Sequence, residues 1–241
     1  MQQYFVKETL DLNQIVSLDM QQSFHISKVM RMKEEDTIVV VDGAKIAYEA
    51  TLRKVGPVCT AEMTDRLERD NEMNAQVTVV MALIKKDKWD FFLMKATELG
   101  AARIVPFKAK RSVVKSDDEK LEKKKQRWMR IVEEAAEQSR RQCVPEVSDP
   151  MTLKQLKNVM SEVNLIAYEK ESGSGKLLRD ALKSSLSVTI VIGPEGGFDP
   201  VEIEKFKAAG VKTVTLGKRI LRTETAAEAV VAMLMYAYDQ I

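Results

Sequence analysis

With 241 residues, 45% of them hydrophobic and 31% charged, the chain is long enough for one large or two ordinary soluble globular domains. No apolar stretch reaches the length of a membrane span, and the opening MQQYFVKETLDL lacks the basic-then-apolar order of a signal peptide, so a cytoplasmic protein is expected. A single histidine (His25) and two distant cysteines (Cys59, Cys143) argue against a zinc cluster, a catalytic triad and a disulfide framework, while the net charge of +2 is too small to name a partner.

In chain order, the first clear elements are strands. TIVVVD, AKIAYEATLRKV and VCTAEMTDRL, between residues 37 and 66, are β-branched or alternating runs separated by Asp42-Gly43 and Gly56-Pro57. Asp-Gly between two such runs signals a hairpin, and short strands without long helices predict a small barrel, in which His25 is a packed residue. The polar stretch LERDNEMNA (67–75) reads as a linker.

From Gln76 the period changes. QVTVVMALI predicts a buried strand and DKWDFFLMKATELG a helix closed by Gly100; ARIVPF is a strand, followed by a helix over about 117–142. NLIAYE, SVTIVIG and TVTLG are further strands; GKLLRDALKSS, DPVEIEKFKAAG and TETAAEAVVAMLMYAYDQ are helices. Strands alternating with helices imply a mostly parallel sheet covered on both faces. The predicted organisation is a β-barrel domain over 1–72 and an α/β domain over 73–241. Trp89 and Trp128 read as anchors of helix packing. The basic density in FKAKRSVVK (107–115) and KLEKKKQRWMR (120–130) suits phosphate contacts, or, where acids interleave over 117–127, a solvated helix face.

The chemistry-bearing stretches lie at predicted strand ends, where open parallel sheets bind ligands. IGPEGGF (192–198) follows an uninterrupted apolar strand with almost no side chains, and Asp199, Pro200 and Glu202 cap the next helix. The turn matches neither GxxxxGK[ST] nor GxGxxG, and Glu195 would repel a pyrophosphate, so a ligand read by backbone groups fits better than a phosphate. A tight connection without any ligand is the plainer alternative. TLGKRILRTETAAEA (215–229) follows another strand end and crowds Lys218, Arg219 and Arg222 into one loop; Thr225 and Glu228 have capping-box spacing.

IGPEGGF, LGKRILRTETA, WDFFLMKATELG, RSVVK and EAAEQSRRQCVPEV together resemble the RsmE family of ribosomal RNA methyltransferases, SPOUT-class enzymes that use S-adenosylmethionine (SAM). HISKVMR, followed by VVVDG, is similar to the family's H-x-x-x-V-L-R segment and PUA-like barrel. Met30 stands where the family usually has Leu, and Cys143 where Arg often precedes Val-Pro. The resemblance spans essentially the whole chain. It implies a SPOUT domain with a C-terminal trefoil knot, a homodimer, and methylation of N3 of a uridine in 16S rRNA, with the assembled small subunit as the expected substrate and no metal.

By the same resemblance, Gly193, Pro194, Glu195 and Gly196 form one wall of the SAM pocket. Leu216, Gly217, Ile220, Leu221 and Thr223 form the others, with Glu169 nearby. Arg222 is the first candidate for stabilising charge on the uracil, with a helix cap or a phosphate contact as its alternative role; Glu98 and Arg141 are the second candidates, and either of these two could equally be half of a structural ion pair. Lys28, Arg31, Arg111 and Lys115 are the expected RNA contacts. Another SPOUT reaction, on a ribose 2′-O or a tRNA base, and a non-catalytic RNA-binding assembly factor are the competing readings.

Overall fold

The computed structural model describes residues 1–69, 71–112, 121–168, 178, 182 and 186–239, which form two compact units. The first comprises Met1–Glu72 together with Ala136–Cys143, the second Met73–Ala135 and Val144–Ile241.

In the first unit, β1 (Gln3–Phe5), β2 (Ile15–Ser17), β3 (Thr37–Val41), β4 (Ala47–Lys54) and β5 (Thr60–Leu67) make a sheet of order β1-β3-β4-β5-β2. β1 runs parallel to β3, and the other pairs are antiparallel. The Asp42-Gly43 signal does produce a hairpin, with a loop longer than two residues: the Asp42 carboxylate accepts from the N–H groups of Ala44 and Ile46 at 2.9 and 2.8 Å. After the exposed Thr37, β3 is continuously apolar (Ile38 to Val41) because both of its faces are covered. Ile38 and Val40 join the barrel core with Tyr4, Leu52 and Met63, while Val39 and Val41 pack on Ala47.

One element escaped the periodic reading. Asp19 caps α1 (Met20–Phe24), which continues into a π-helical turn, His25–Val29. His25 is packed as expected, its Nδ1 2.9 Å from the Tyr4 hydroxyl. The segment Ala136–Cys143 joins this unit through Arg141, whose buried guanidinium lies 2.6 Å from Glu72 Oε2. Glu72 also accepts from the backbone N–H groups of Gln142 and Cys143 at 2.8 and 3.1 Å.

In the second unit, β6 (Gln76–Ala82), β7 (Arg103–Phe107), β8 (Glu146–Val147), β9 (Val163–Ala167), β10 (Ser187–Ile192) and β11 (Lys212–Val214) form a sheet of order β11-β9-β10-β6-β7-β8. Every pairing described in it is parallel. Successive residues of a strand face opposite sides, and both sides are buried. Val77, Val79 and Met81 of β6 enter one core with α2 (Lys86–Glu98), α3 (Leu121–Gln138) and the last helix, α5 (Thr223–Asp239). Val80 and Ala82 enter the opposite core with Ile203 and Phe206 of α4 (Pro200–Ala208).

Trp89 of α2 and Trp128 of α3 are buried with ring centroids 5.4 Å apart, so both anchor helices as expected. On α3, Trp128 and Val132 are one turn apart and face the same core, which is the amphipathic spacing of a helix lying on a sheet. The predicted helix GKLLRDALKSS lies almost wholly outside the described residues.

Candidate functional site

Because β9, β10 and β11 are neighbours and parallel, their carboxyl ends open on one edge of the sheet. Ala167 and Tyr168 at the end of β9, Ile192 to Phe198 after β10, and Thr215 to Thr223 after β11 surround a cavity of about 610 Å³, with Lys88 and Ala226 completing it.

The first wall is the glycine turn. Gly197 N–H donates to Pro194 C=O at 2.9 Å, closing the bend, and Phe198 drops into the core against Phe206 with centroids 5.9 Å apart. Gly193 cannot carry a side chain: a Cβ there would lie 2.8 Å from the Phe198 ring. The predicted cap of α4 is present, with the Asp199 carboxylate accepting from Val201 N–H at 3.0 Å and Glu202 reaching back to Asp199 N–H at 3.1 Å. The basic loop after β7 braces this cap, Lys110 Nζ lying 3.0 Å and an Arg111 nitrogen 3.6 Å from Asp199 Oδ2. Hydrogen bonds from Lys110 and from Val201 N–H hold the Asp199 carboxyl below its usual range, against a smaller opposing effect of burial.

The second wall is the loop after β11. Thr215 Oγ1 accepts from Gly217 N–H at 3.2 Å and donates to Gly217 C=O at 3.0 Å, and Gly217 takes a φ of +124°, open to glycine and strained for any other residue. The loop ends where α5 starts, Ala226 N–H donating to Arg222 C=O at 2.8 Å. The capping box expected at Thr225 and Glu228 is therefore not at the terminus. The helix begins two residues earlier, at Thr223, and that pair lies within it.

Lys88, on the first turn of α2, reaches both walls: its Nζ is 3.6 Å from Glu195 Oε1 and 3.1 Å from Glu224 Oε1. Burial opposes ionisation of Glu224, but its own backbone N–H and Lys88 outweigh that, and its carboxyl titrates below the usual glutamate range. Lys218, Arg219 and Arg222 are exposed along the mouth.

The sequence-predicted residues Gly193, Pro194, Glu195, Gly196, Leu216, Gly217, Ile220, Leu221, Arg222 and Thr223 are thus brought around one cavity. Glu169 and Lys115 lie outside the described residues. Arg111 stands beside Gly196, while Lys28 and Arg31 are exposed on the first unit. Glu98 and Arg141 do not line the cavity. Glu98 is paired with Lys95 at 2.7 Å, and Arg141 is committed to Glu72, so both take up structural ion pairs. Sequence reasoning missed Lys88, Tyr168 and Thr215. The strand-end rule could have flagged Tyr168 and Thr215, but only the packing of α2 brings Lys88 to the site.

Among the described residues no helix is long and apolar enough to cross a membrane, and no cluster of His, Cys, Asp and Glu could hold a metal. The cavity offers backbone groups and apolar surface, with cations at its mouth.

A sheet whose described pairings are all parallel, with a cavity at its carboxyl edge, in a chain that also holds a small β domain, agrees with the two family models that match this chain. An RNA methyltransferase domain covers residues 71–235, and an RNA methyltransferase PUA domain covers residues 18–57. The fold is thus that of a SPOUT-type RNA methyltransferase.

The relatives narrow this further. Ribosomal RNA small subunit methyltransferase E of Bacillus subtilis is 38% identical over 94% of this chain and 93% of its own, and that of Mesomycoplasma hyopneumoniae is 33% identical over 93% and 90%. The crystal structure of the Neisseria gonorrhoeae enzyme, bound to SAM, superposes with a TM-score of 0.90 at 30% identity, covering 99% of this chain and 98% of that one. The chain belongs to the ribosomal RNA small subunit methyltransferase E (RsmE) family.

Proposed function

We propose that this protein transfers a methyl group from SAM to N3 of a uridine in 16S rRNA, acting in the cytoplasm as a homodimer on the small ribosomal subunit. The observation that carries the reading is the convergence of the glycine turn and the Leu216–Thr223 loop on one cavity, in a family with a SAM-bound member. The donor set fits SAM. A volume of about 610 Å³ suits a small-molecule cofactor. The glycine turns present backbone N–H and C=O groups, Ile192, Leu216 and Leu221 offer apolar surface, and no phosphate-binding pattern is present, as suits an adenine, a ribose and a zwitterionic tail.

Gly193, Pro194, Glu195 and Gly196 hold one side of the cofactor and Leu216, Gly217, Ile220, Leu221 and Thr223 the other; Glu169 is assigned there from the family resemblance alone. When bound, SAM supplies a methyl group already activated by its sulfonium. The protein's part is alignment, which can remove roughly 7–11 kcal/mol of barrier. Arg222, at the solvent-exposed mouth, sets its guanidinium against the uracil oxygens and stabilises the negative charge that develops as N3 gives up its proton to water. N3 lies on the pairing edge, so the uridine must be unpaired or splayed out to enter.

Lys28, Arg31, Arg111 and Lys115 contact RNA phosphates. The homodimer and the trefoil knot follow from the family resemblance. An apolar face on α5, where Met233 and Tyr236 stay 43% and 67% exposed, supports the dimer.

The test is methyl transfer from radiolabelled SAM to naked 16S rRNA and to small subunits, with SAM affinity measured by calorimetry. The expected product is N3-methyluridine. Arg222→Ala should lower turnover by roughly 10²–10³-fold with SAM binding retained. Undiminished turnover removes Arg222 from the mechanism. A methyl group on a ribose or on tRNA, or no SAM binding, overturns the reading.

A further inference from the structure

We infer that Lys88 is a positioning residue, a single ammonium that ties the two walls of the cofactor cavity together and sets their separation. The inference rests on the SAM reading given above.

The glycine turn is built almost without side chains, yet it carries Glu195. Recognition by backbone atoms does not require a carboxylate, and one at this place works against any anionic ligand. Its partner explains it: Glu195 Oε1 lies 3.6 Å from Lys88 Nζ. The same nitrogen is 3.1 Å from Glu224 Oε1, on the first turn of α5 just beyond the second wall. Glu195 belongs to the segment after β10 and Glu224 to the segment after β11, and Lys88 joins α2 to both.

Lys88 stands on a rigid post. Trp89 and Phe92, on the same helix, are buried at 2% and 0% exposure in the core that also holds Ala227 and Val230 of α5. The three charged side chains are partly shielded, at 33% exposure for Lys88, 29% for Glu195 and 15% for Glu224. Partial shielding makes the attraction stronger than at an open surface. Without the ammonium, two like charges would face each other across the cavity edge and push the walls apart. Against the opposing effect of burial, its own backbone N–H, Lys88 and Arg222 together depress the titration of Glu224, in agreement with an ionised carboxylate facing Lys88.

The test has a sign that separates tethering from bulk electrostatics. SAM carries a net positive charge, so deleting Lys88 makes the site more attractive to it if long-range charge alone matters. If the tether matters, affinity falls. Lys88→Met should bind SAM about tenfold more weakly, or about 1.4 kcal/mol. It should raise the KM for SAM with kcat at saturation largely retained, because the chemical step does not use this group. Lys88→Arg should recover most of the affinity. In a Glu224→Gln background, Lys88→Met should cost clearly less than in wild type, since the cycle isolates the shared interaction. Lys88→Gln, which removes the same charge but stays hydrophilic at a partly exposed position, should weaken SAM in the same direction, which keeps the test decisive if Lys88→Met fails to fold.

Equal or tighter SAM binding by Lys88→Met, or an undiminished loss in the Glu224→Gln background, overturns the inference alone. Failure of the wild type to bind SAM overturns the cofactor reading and this inference with it.

Discussion

Glu72→Ala should destabilise the first unit without touching the chemistry. Glu72 pairs with Arg141, whose side chain is 4% exposed, and it also satisfies the N–H groups of Gln142 and Cys143. Removing the carboxylate leaves a guanidinium and two backbone donors without it. Breaking a buried ion pair from one side costs about 3–5 kcal/mol. Glu72 itself is 26% exposed, so water can reach part of the vacated space and the low end, about 3 kcal/mol, applies. For a chain of this size that lowers Tm by roughly 6–12 °C. The assay is thermal melting of wild type, Glu72→Ala and Glu72→Gln, with SAM affinity measured on each below its transition. Glu72→Gln keeps an acceptor for the backbone and should lose less. A Glu72→Ala protein that melts within about 2 °C of wild type would refute the argument that this clasp holds Ala136–Cys143 in the first unit.

Two further outcomes follow from the site. Gly193→Ala places a methyl group 2.8 Å from the buried Phe198 ring, which has no free end to swing away; overpacking should cost about 1–3 kcal/mol and weaken SAM binding, and calorimetry showing wild-type affinity and stability would contradict the close approach. Glu224 has a folded-state pKa below its ordinary 4.5, so its contribution is complete above that value and lost as pH falls through the depressed one. The Tm advantage of wild type over Glu224→Gln should accordingly be present at neutral pH and vanish in acid; an advantage that persists after protonation would mean the carboxylate's charge is not what stabilises.

The glycine turn was legible because its causes are local. A buried strand, a bend free of side chains and a capped helix follow one another within about a dozen residues, and each has a sequence signature. The same holds for the loop after β11, where a glycine and three cations stand together. Thr225 and Glu228 misled for the same reason. The capping-box spacing is equally the spacing of helix neighbours, and the pattern alone does not say where the helix starts. The α1 and π-helical segment was missed because it is short, so no apolar period could develop along it.

Arg141 and Lys88 show the limit from opposite sides. Arg141, in a family-like motif, could be read from sequence either as a catalytic group or as half of an ion pair, and only the fold shows the pairing, with Glu72, 69 residues away. Lys88, one of several lysines at the start of a helix, carries no local signature that sets it apart, and the fold brings it to Glu224 across 136 residues.

Periodicity, turn residues and caps are set by neighbours along the chain, and so the sequence alone determined the parallel α/β class, the strand-end position of the two glycine loops and their mismatch to the phosphate-binding motifs. Which charge meets which was decided only by tertiary structure. Pairing energy depends on separation and shielding in space, and a sequence records neither until its strands are ordered in the sheet and its helices are packed.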